Sequence, residues 1–310
     1  MKKYYGIIFT VIYALIFRVL VEFDILEINS WTYIIIIPVL MGYLPFVLDK
    51  KPFLESKLKF VLFPMISVIA FLLIAFLTRL EDLGCFIILL PPYLLISIIV
   101  SFILRSFLKN KTNYNSNSIT KNSLLFIAIP LFIGNIEKLV EKKETNFEIS
   151  EKIVIDRSKE QIWNNLFSVP DLTNYVENST YNYFGFPNPI KSEYNIKTNT
   201  RLGYFSNGII LNESVFELKK LEKLSFKINV DKSDLKQSQT FKHILKNKNL
   251  VFNSITYKLK TIDEDKTELT LICDYKIKTN IPLYGEYWSK NIITDFEKKL
   301  LNALKKRNEQ

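Results

Sequence analysis

Five apolar runs fill the first 140 residues of this 310-residue chain, and the rest of the sequence has none of comparable length. The first four contain 18 to 20 residues each and are Tyr4 to Val21, Trp31 to Leu48, Leu58 to Leu77 and Cys85 to Leu104. About 20 helical residues span the ~30 Å hydrocarbon core of a bilayer. The runs therefore predict a transmembrane helical bundle in residues 1–140, followed by a water-soluble domain in residues 141–310.

The fifth run, from Leu124 to about Val140, is weaker because Pro130 and later polar residues leave only Leu124 to Ile133 uninterrupted. It can cross the bilayer or form a re-entrant or interfacial helix, so the sequence predicts four to five transmembrane helices. A cleavable signal peptide is the alternative for the first run, but the length of the run and the lack of a small-residue cleavage site disfavour it. Arg18 lies near the end of that run, where a long side chain can reach the headgroups.

Basic residues in the loops predict the orientation of the chain. The amino terminus, the second loop and the fourth loop are rich in Lys and Arg, whereas the first loop has none and the third has only Arg79. Under the positive-inside rule the amino terminus is cytoplasmic. The runs predict a protein integral to a membrane, the inner membrane in a bacterium. If the fifth run crosses, the soluble domain is periplasmic.

Charge and cysteine usage exclude several kinds of function. The net charge of +10 divides equally between the two parts of the chain, and in the second part the charges alternate in sign. Such a pattern is typical of a solvated surface, so we predict no nucleic-acid partner. With two isolated cysteines, Cys85 and Cys273, and a single histidine, His243, we expect no metal site and no cofactor.

The soluble part begins with one strand and short helices. Phe147 to Asp156 alternates like a strand, and the sequence from Ser158 to Gln161 is a capping box that starts a helix. We expect a second short helix around Asp171 to Glu177. The stretch from Phe184 to Pro189 follows it, and its prolines should prevent regular strand pairing.

Four or five strands and one long helix complete the domain. Asn207-Gly208 is the signature of a two-residue hairpin, and alternation predicts further strands after it. From near Leu283, apolar residues recur at every fourth position: Tyr284, Trp288, Ile292, Phe296, Leu300 and Leu304. Glu297 is among the residues expected to face water on this helix. An antiparallel sheet curved around the helix is the α+β arrangement that this order predicts.

This order of elements resembles the START-like superfamily, also called SRPBCC or polyketide cyclase and lipid-transport proteins, which has the helix-grip fold. The resemblance covers about residues 147–306 and rests on two helices, Ser158 to Leu166 and Tyr287 to Lys305. It is greatest to a membrane-anchored branch, whose motif residues here are Gly185, Pro187, Pro189, Arg201, Phe205, Gly208, Glu213, Val215, Leu224 and Phe226. The resemblance implies an apolar tunnel between sheet and long helix, which members use for lipids, sterols, quinones, plant hormones or polyketide intermediates. It implies no single reaction.

Arg201 and Glu213 are candidate ligand-binding residues, because an ion pair at the tunnel wall could hold a ligand's carboxylate or phosphate through Arg201. A two-residue hairpin, however, pairs Arg201 with Ser214 and Leu202 with Glu213, which puts the two charges on opposite faces. Only a bulge would bring them together. A structural or solvated role therefore stays open beside the ligand role.

Aromatic side chains are the other candidates for the ligand site, because their rings are apolar and their few polar groups suit an amphiphile. They are Tyr204, Phe205, Tyr257, Tyr275, Tyr284 and Trp288. The alternative is that these rings only fill the core. His243 is a candidate acid or base, but it lies in the polar, aperiodic stretch from Asp231 to Asn249, which is typical of a loop or rim.

The function predicted is the binding or transfer of an apolar or amphipathic ligand by a membrane-anchored domain. Its partner is a membrane lipid or another hydrophobic small molecule. Two alternatives stay open. One is a cyclase- or hydrolase-type enzyme with His243, Glu213 or a tyrosine as acid or base, and the other is a ligand-free regulatory or interaction module. No catalytic residue is assigned.

Overall fold

The structure is a computed structural model that describes residues 4–23, 25–26, 30–47, 56, 58–109, 116–236 and 238–310, with side chains except at 47 and 108–127. The chain forms two compact units, Met1–Lys142 and Lys143–Gln310.

The first unit is helical. Its helices are α1, Tyr5–Glu22; α2, a π-helical segment Thr32–Ile36 continued by Ile37–Val47; α3, Lys59–Leu77; α4, Leu83–Lys109; and α5, Ser116–Leu139. Among the described residues, three helices are long and apolar enough to cross a membrane: α1, α3 and the Leu83–Phe107 part of α4. The apolar part of α2, Thr32–Phe46, is shorter. That α2 and α5 also cross stays a prediction.

Small residues let these helices approach closely. A Cβ on Gly42 would lie 2.4 Å from the carbonyl oxygen of Ser97, and a Cβ on Gly6 would lie 2.4 Å from that of Pro45. The hydroxyl of Ser101 also donates to the carbonyl oxygen of Gly42 (3.2 Å). Close backbone contact and hydrogen bonds between helices are typical of packing in lipid, where the hydrophobic effect does not drive helices together.

Arg18 is buried inside the first unit. The sequence had suggested that its side chain reaches the headgroups. It forms ion pairs with Glu22 (2.8 Å between Nη2 and Oε1) and with Glu81, and its own side chain is fully buried. Glu81, which follows α3, supplies the buried partner, and whether this cluster lies at the level of the headgroups stays a prediction. A charge in apolar surroundings is stabilised far more by such a partner than by partial solvation.

The second unit is a seven-stranded antiparallel sheet with a long helix. The strands are β1, Lys143–Ile155; β2, Pro189–Asn195; β3, Thr200–Phe205; β4, Ile210–Lys219; β5, Lys223–Ile228; β6, Leu250–Asp263; and β7, Lys266–Thr279. Their order across the sheet is β1-β7-β6-β5-β4-β3-β2, so β1 and β2 are its edges.

The helices of this unit are α6, Lys159–Phe167; α7, Thr180–Tyr183; α8, Gln239–Phe241 with a π-helical continuation Lys242–Lys246; and α9, Pro282–Asn308. The 27 residues of α9 extend about 40 Å and pack mainly on β1 and β7. The largest apolar cluster joins α6 and the second half of α9 to the inner face of the sheet. This is the arrangement of antiparallel sheet and long carboxy-terminal helix that the sequence predicted.

Side-chain hydrogen bonds determine where short helices and turns form after β1. The backbone N–H of Ser158 donates to Oε1 of Gln161 (3.4 Å), which confirms the predicted capping box. The helix predicted around Asp171 to Glu177 is wrong, because Oδ1 of Asp171 accepts bonds from the N–H and hydroxyl of Thr173 (2.8 and 2.6 Å). Asp side chains compete with helix formation in this way. Only a turn forms at 173–175, and the one-turn α7 comes later.

Strand β2 was not predicted, because its first residue is a proline. It pairs only with β3, and its register is irregular between Pro189 and Lys191. A proline lacks the N–H of a strand ladder, but at an edge that N–H needs no partner strand.

The turn between β3 and β4 is one residue longer than predicted. Ser206–Gly208 form a 3₁₀ turn in which Asn207 and Gly208 have φ of 65° and 69°, and the N–H of Phe205 donates to the carbonyl of Ile209 (3.0 Å). One extra loop residue shifts the register by one, so Arg201 pairs with Glu213 and not with Ser214. Both side chains thus lie on the same face of the sheet, contrary to the prediction.

Candidate ligand-binding site

A cavity of about 160 Å³ lies between α9 and the sheet. Its wall is mostly apolar and includes Val169, Leu172, Phe186, Pro187, Pro189, Phe205, Ile209, Leu211, Ile228, Phe241, Phe252, Ile255, Leu271, Ile292, Ile293, Phe296 and Leu300. An apolar cavity of about 150 Å³ accommodates a benzene molecule. The space in this protein therefore fits one ring or a short alkyl segment, and a larger molecule would extend beyond it.

Arg201 and Glu213 form a buried ion pair in the cavity wall. The Nε of Arg201 donates to Oε2 of Glu213 (2.5 Å), and its Nη1 donates to the carbonyl oxygen of Leu166 (2.9 Å). The guanidinium also lies over the ring of Phe226, with Cζ 3.7 Å from the centroid. Burial alone would lower the pKa of Arg201, but the neighbouring Glu213 outweighs it and the pKa lies above its ordinary value. The charge of Arg201 is thus balanced within the protein.

Three of the predicted aromatic residues line the same cavity. Tyr257, on β6, is buried beside Arg201, and burial raises the pKa of its phenol. Phe205 packs against Phe296 of α9, with ring centroids 5.8 Å apart. The hydroxyl of Tyr204 donates to Oε2 of Glu193 at the surface (3.1 Å). Five of the eight predicted site residues therefore meet at one cavity.

The other three predicted aromatic residues do not line this cavity. Tyr275 belongs to a separate apolar cluster on β7, and its hydroxyl is 3.1 Å from that of Ser289 on α9. Tyr284 and Trp288 pack against each other near the start of α9, with ring centroids 6.3 Å apart. They lie elsewhere because a spacing of four drifts by about 40° per step around a helix of 3.6 residues per turn. The first residues of this series of apolar residues at every fourth position of α9 thus point away from the last ones.

The same drift brings Glu297 inward, where the sequence placed it in water. Glu297 lines the cavity and is only 2% exposed. It lies four residues after Ile293 and three before Leu300, which are both buried. This spacing is the signal that identifies it, because residues three and four apart share one face of a helix.

Glu297 is a buried acid without a counter-ion. Neither of its carboxyl oxygens forms a hydrogen bond with any residue that the structure describes. Burial and, secondarily, the charge of Glu151 raise its pKa to about 8, although the backbone N–H groups of Glu151 and Cys273 lie near enough to oppose this shift. The carboxyl is therefore mostly protonated at neutral pH and can both donate and accept a hydrogen bond.

A polar cluster fixes the segment that covers one side of the cavity. The Nζ of Lys299, on α9, contacts Oδ1 of Asn182 and Oδ2 of Asp295, both at 2.9 Å. Ser179, which precedes α7, donates to the same Asp295 oxygen (2.8 Å). Tyr181 and Phe186 of this segment line the cavity. Both charges of α9 that flank Glu297 are thus engaged with each other and with the covering segment.

His243 is helical and buried, whereas the sequence predicted a loop or rim position. It lies in the π-helical continuation of α8, where its carbonyl oxygen accepts a bond from Nδ2 of Asn249 (3.2 Å), and it is not part of the cavity wall. Within the described ranges, no three His, Cys, Asp or Glu side chains are grouped so that they could hold a metal ion. The chemistry available at the cavity is therefore apolar contact, hydrogen bonding and proton exchange at Glu297.

Comparison with known proteins yields similar folds. No protein-family model and no curated protein matches the chain. A START superfamily protein from Mycobacterium smegmatis is 11% identical with a TM-score of 0.37, over 53% of this chain and 97% of that one. The Zhui aromatase/cyclase from a Streptomyces species is 12% identical with a TM-score of 0.37, over 53% and 94%.

A truncated norcoclaurine synthase from Thalictrum flavum is 11% identical with a TM-score of 0.34, over 54% of this chain and 96% of that one. Identities and TM-scores this low transfer no activity and no binding residue to this chain.

Proposed function

We propose that residues 143–310 bind an apolar or amphipathic molecule, such as a lipid, in the cavity between α9 and the sheet. The helices of the first unit would anchor the domain at a bilayer, from which the molecule is taken or to which it is delivered. The observation that carries the proposal is the partly open, mostly apolar space of about 160 Å³. Open space of this kind disfavours a ligand-free module, because close-packed side chains would otherwise fill it.

Anchoring makes a modest affinity sufficient. Three helices in the described part of the chain can cross a membrane by length and composition. A domain attached to the bilayer meets its lipids at a high effective concentration, so even a cavity with few polar contacts would be occupied.

A cyclase-type enzyme acting on a hydrophobic substrate is the second candidate, and Glu297 is the observation that favours it. An acid with a pKa of about 8 beside the substrate space could act as a general acid near neutral pH. The sequence-based acid/base candidate His243 is outside the cavity wall.

The test is to identify what stays bound to the full-length protein after extraction in a mild detergent, by native mass spectrometry. Ile292→Trp places an indole into the cavity and should abolish retention of the co-purifying molecule. Leu283→Trp adds the same group to the same helix at a position that is 82% exposed, and should retain it.

Two results would contradict ligand binding: a wild-type protein that retains nothing, or an Ile292→Trp variant that retains as much as the Leu283→Trp control. Conversion of the retained molecule on incubation, lost in Glu297→Gln while retention persists, would establish the enzyme instead.

A further inference from the structure

The position of Glu297 bears on which class of ligand the cavity accepts, and this step rests on the proposed function. Its side chain is almost completely buried at the cavity wall, and its two oxygens form no hydrogen bond in the described part of the chain. A buried polar group without a partner is costly, so native proteins rarely keep one that nothing satisfies. A ligand in the cavity could supply the missing partner.

The ionisable groups around Glu297 offer it no positive charge. Glu151 of β1 is 3.5 Å from Lys298, and on α9 itself Asp295 is paired with Lys299. Cys273 of β7 and Tyr257 of β6 are buried, and burial raises the pKa of both, so each is neutral near pH 7. The other two cations of the wall, Arg201 and Lys191, are paired with Glu213 and Glu193.

The pairing of these charged groups disfavours a charged ligand head group in the cavity. A carboxylate or phosphate would be buried without an available cation, because Lys191, Arg201 and Lys299 are each paired with a carboxylate of the protein. An ammonium group could form an ion pair with Glu297 only after the carboxyl had ionised and released its proton. An uncharged oxygen meets neither obstacle, because a protonated carboxyl can donate to it and accept from it.

We propose that Glu297 forms a hydrogen bond with an uncharged hydroxyl or carbonyl oxygen of the ligand, and so selects neutral amphiphiles over anionic and cationic ones. The class comprises alcohols, ketones and esters with a ring or alkyl chain. The cavity is large enough only for the part of the ligand next to this oxygen. The rest of the ligand would extend out of the cavity, for example into lipid.

The test uses the full-length protein in phosphatidylcholine nanodiscs and four chain-matched photoactivatable ten-carbon probes: an alkane, an alcohol, a carboxylic acid and a primary amine. Mass spectrometry measures labelling of cavity peptides, normalised to labelling of the nanodisc scaffold. At pH 7 we expect the alcohol to label the wild type about tenfold more than the acid or the amine.

Variants assign this selectivity to Glu297. Glu297→Gln keeps a donor and an acceptor, so alcohol labelling should stay within about twofold of wild type. Glu297→Leu should lower alcohol labelling to the level of the alkane.

The alkane probe separates the two proposals. If the alkane labels the cavity in every variant but Glu297→Leu leaves the alcohol preference unchanged, the role of Glu297 is wrong and ligand binding stands. Preference for the acid or the amine in the wild type would also overturn it. If no probe labels the cavity in any variant, both proposals fail.

Discussion

Arg201 and Glu213 illustrate what a buried ion pair requires. Desolvation of two charges costs several kcal/mol, and their attraction compensates only when the geometry is good and the remaining polar atoms are satisfied. Here the carbonyl of Leu166 and the ring of Phe226 complete the surroundings of the guanidinium. Either side chain alone would be an uncompensated charge beside an apolar cavity.

Removal of one partner should therefore be far more harmful than removal of both. We expect Arg201→Met to lower the free energy of unfolding by about 3 to 5 kcal/mol, and the double variant Arg201→Met with Glu213→Leu to recover most of it. Denaturant-dependent proteolysis of the full-length protein measures this.

The exposed pair Lys219–Glu222 serves as the control, because its side chains are 69% and 51% accessible. Lys219→Met should cost less than about 1 kcal/mol. A loss equally small in Arg201→Met would mean that the buried pair contributes nothing.

Glu297 should make stability depend on pH. Its pKa is about 8 in the folded protein against an ordinary value of 4.5, so between these values the folded state keeps a proton that the unfolded chain has lost. The free energy of unfolding then falls as pH rises through this window. At about 1.4 kcal/mol per pKa unit, the loss between pH 5 and pH 8 is a few kcal/mol.

Glu297→Gln removes this proton linkage while it keeps the shape of the side chain. Relative to wild type, the variant should gain stability steadily from pH 5 to pH 8 and no more above about pH 9. Thermal unfolding of both proteins at matched pH gives the difference, in which other titrating groups cancel. A difference that is the same at pH 5 and pH 8 would show that Glu297 titrates normally.

At the scale of elements, the turn at Ser206–Gly208 sets the alignment of β3 with β4. Gly208 has φ of 69°, a left-handed conformation that costs a residue with a side chain about 1 to 2 kcal/mol. We expect Gly208→Val to destabilise the domain by about this amount or more. Asn207→Gly, at the neighbouring left-handed position, should change stability little, because relief of that conformation offsets the loss of the bond from Nδ2 of Asn207 to the carbonyl oxygen of Gly185 (3.1 Å).

Protease susceptibility of the full-length protein compares these two turn variants. If Gly208→Val were as stable as Asn207→Gly, the conformation of the turn would not constrain the hairpin.

Periodicity predicted most elements of the second unit, but not their exact alignment. The alternation of β6 and β7 and the capping box of α6 are local signals, and both were sufficient. The pairing of Arg201 with Glu213 depends on a count of loop residues, and Asn207-Gly208 is compatible with a turn of two or three. A one-residue difference reverses which face every later side chain occupies.

The candidate site was predictable to a similar extent. The resemblance and the strand pattern predicted its apolar walls and five of the residues that line it. They did not predict Glu297. A charged residue in an amphipathic helix is normally solvated, and only the tertiary packing of α9 determines which residues of a drifting stripe become enclosed.

At the scale of the whole molecule, contacts within the first unit bear on membrane orientation. Glu137, near the end of α5, accepts bonds from the backbone N–H groups of Trp31 (2.5 Å) and Thr32 (3.0 Å), at the start of α2. The end of α5 therefore lies beside the start of α2, which in the sequence follows the loop between α1 and α2. That loop has no Lys or Arg, which is typical of the outer side.

We therefore expect α5, whose 24 residues extend about 36 Å, to cross the membrane and the second unit to lie outside the cytoplasm. In bacterial cells, alkaline phosphatase fused after Gln310 should be active and green fluorescent protein at the same site should be dark. Fusions after Lys109, in the basic loop, should give the reverse. Fluorescence at Gln310 would place the second unit in the cytoplasm.

The two edge strands of the sheet, β1 and β2, bear on whether copies of the protein pair with each other. Proteins that diffuse in one bilayer meet often, and an unpaired edge strand can pair with the edge strand of another molecule. Strand β2 starts with Pro189 and has an irregular register at its first pair, while β1 presents Glu144, Glu148 and Lys152 to solvent. We therefore expect neither edge to pair readily with a second copy of the domain.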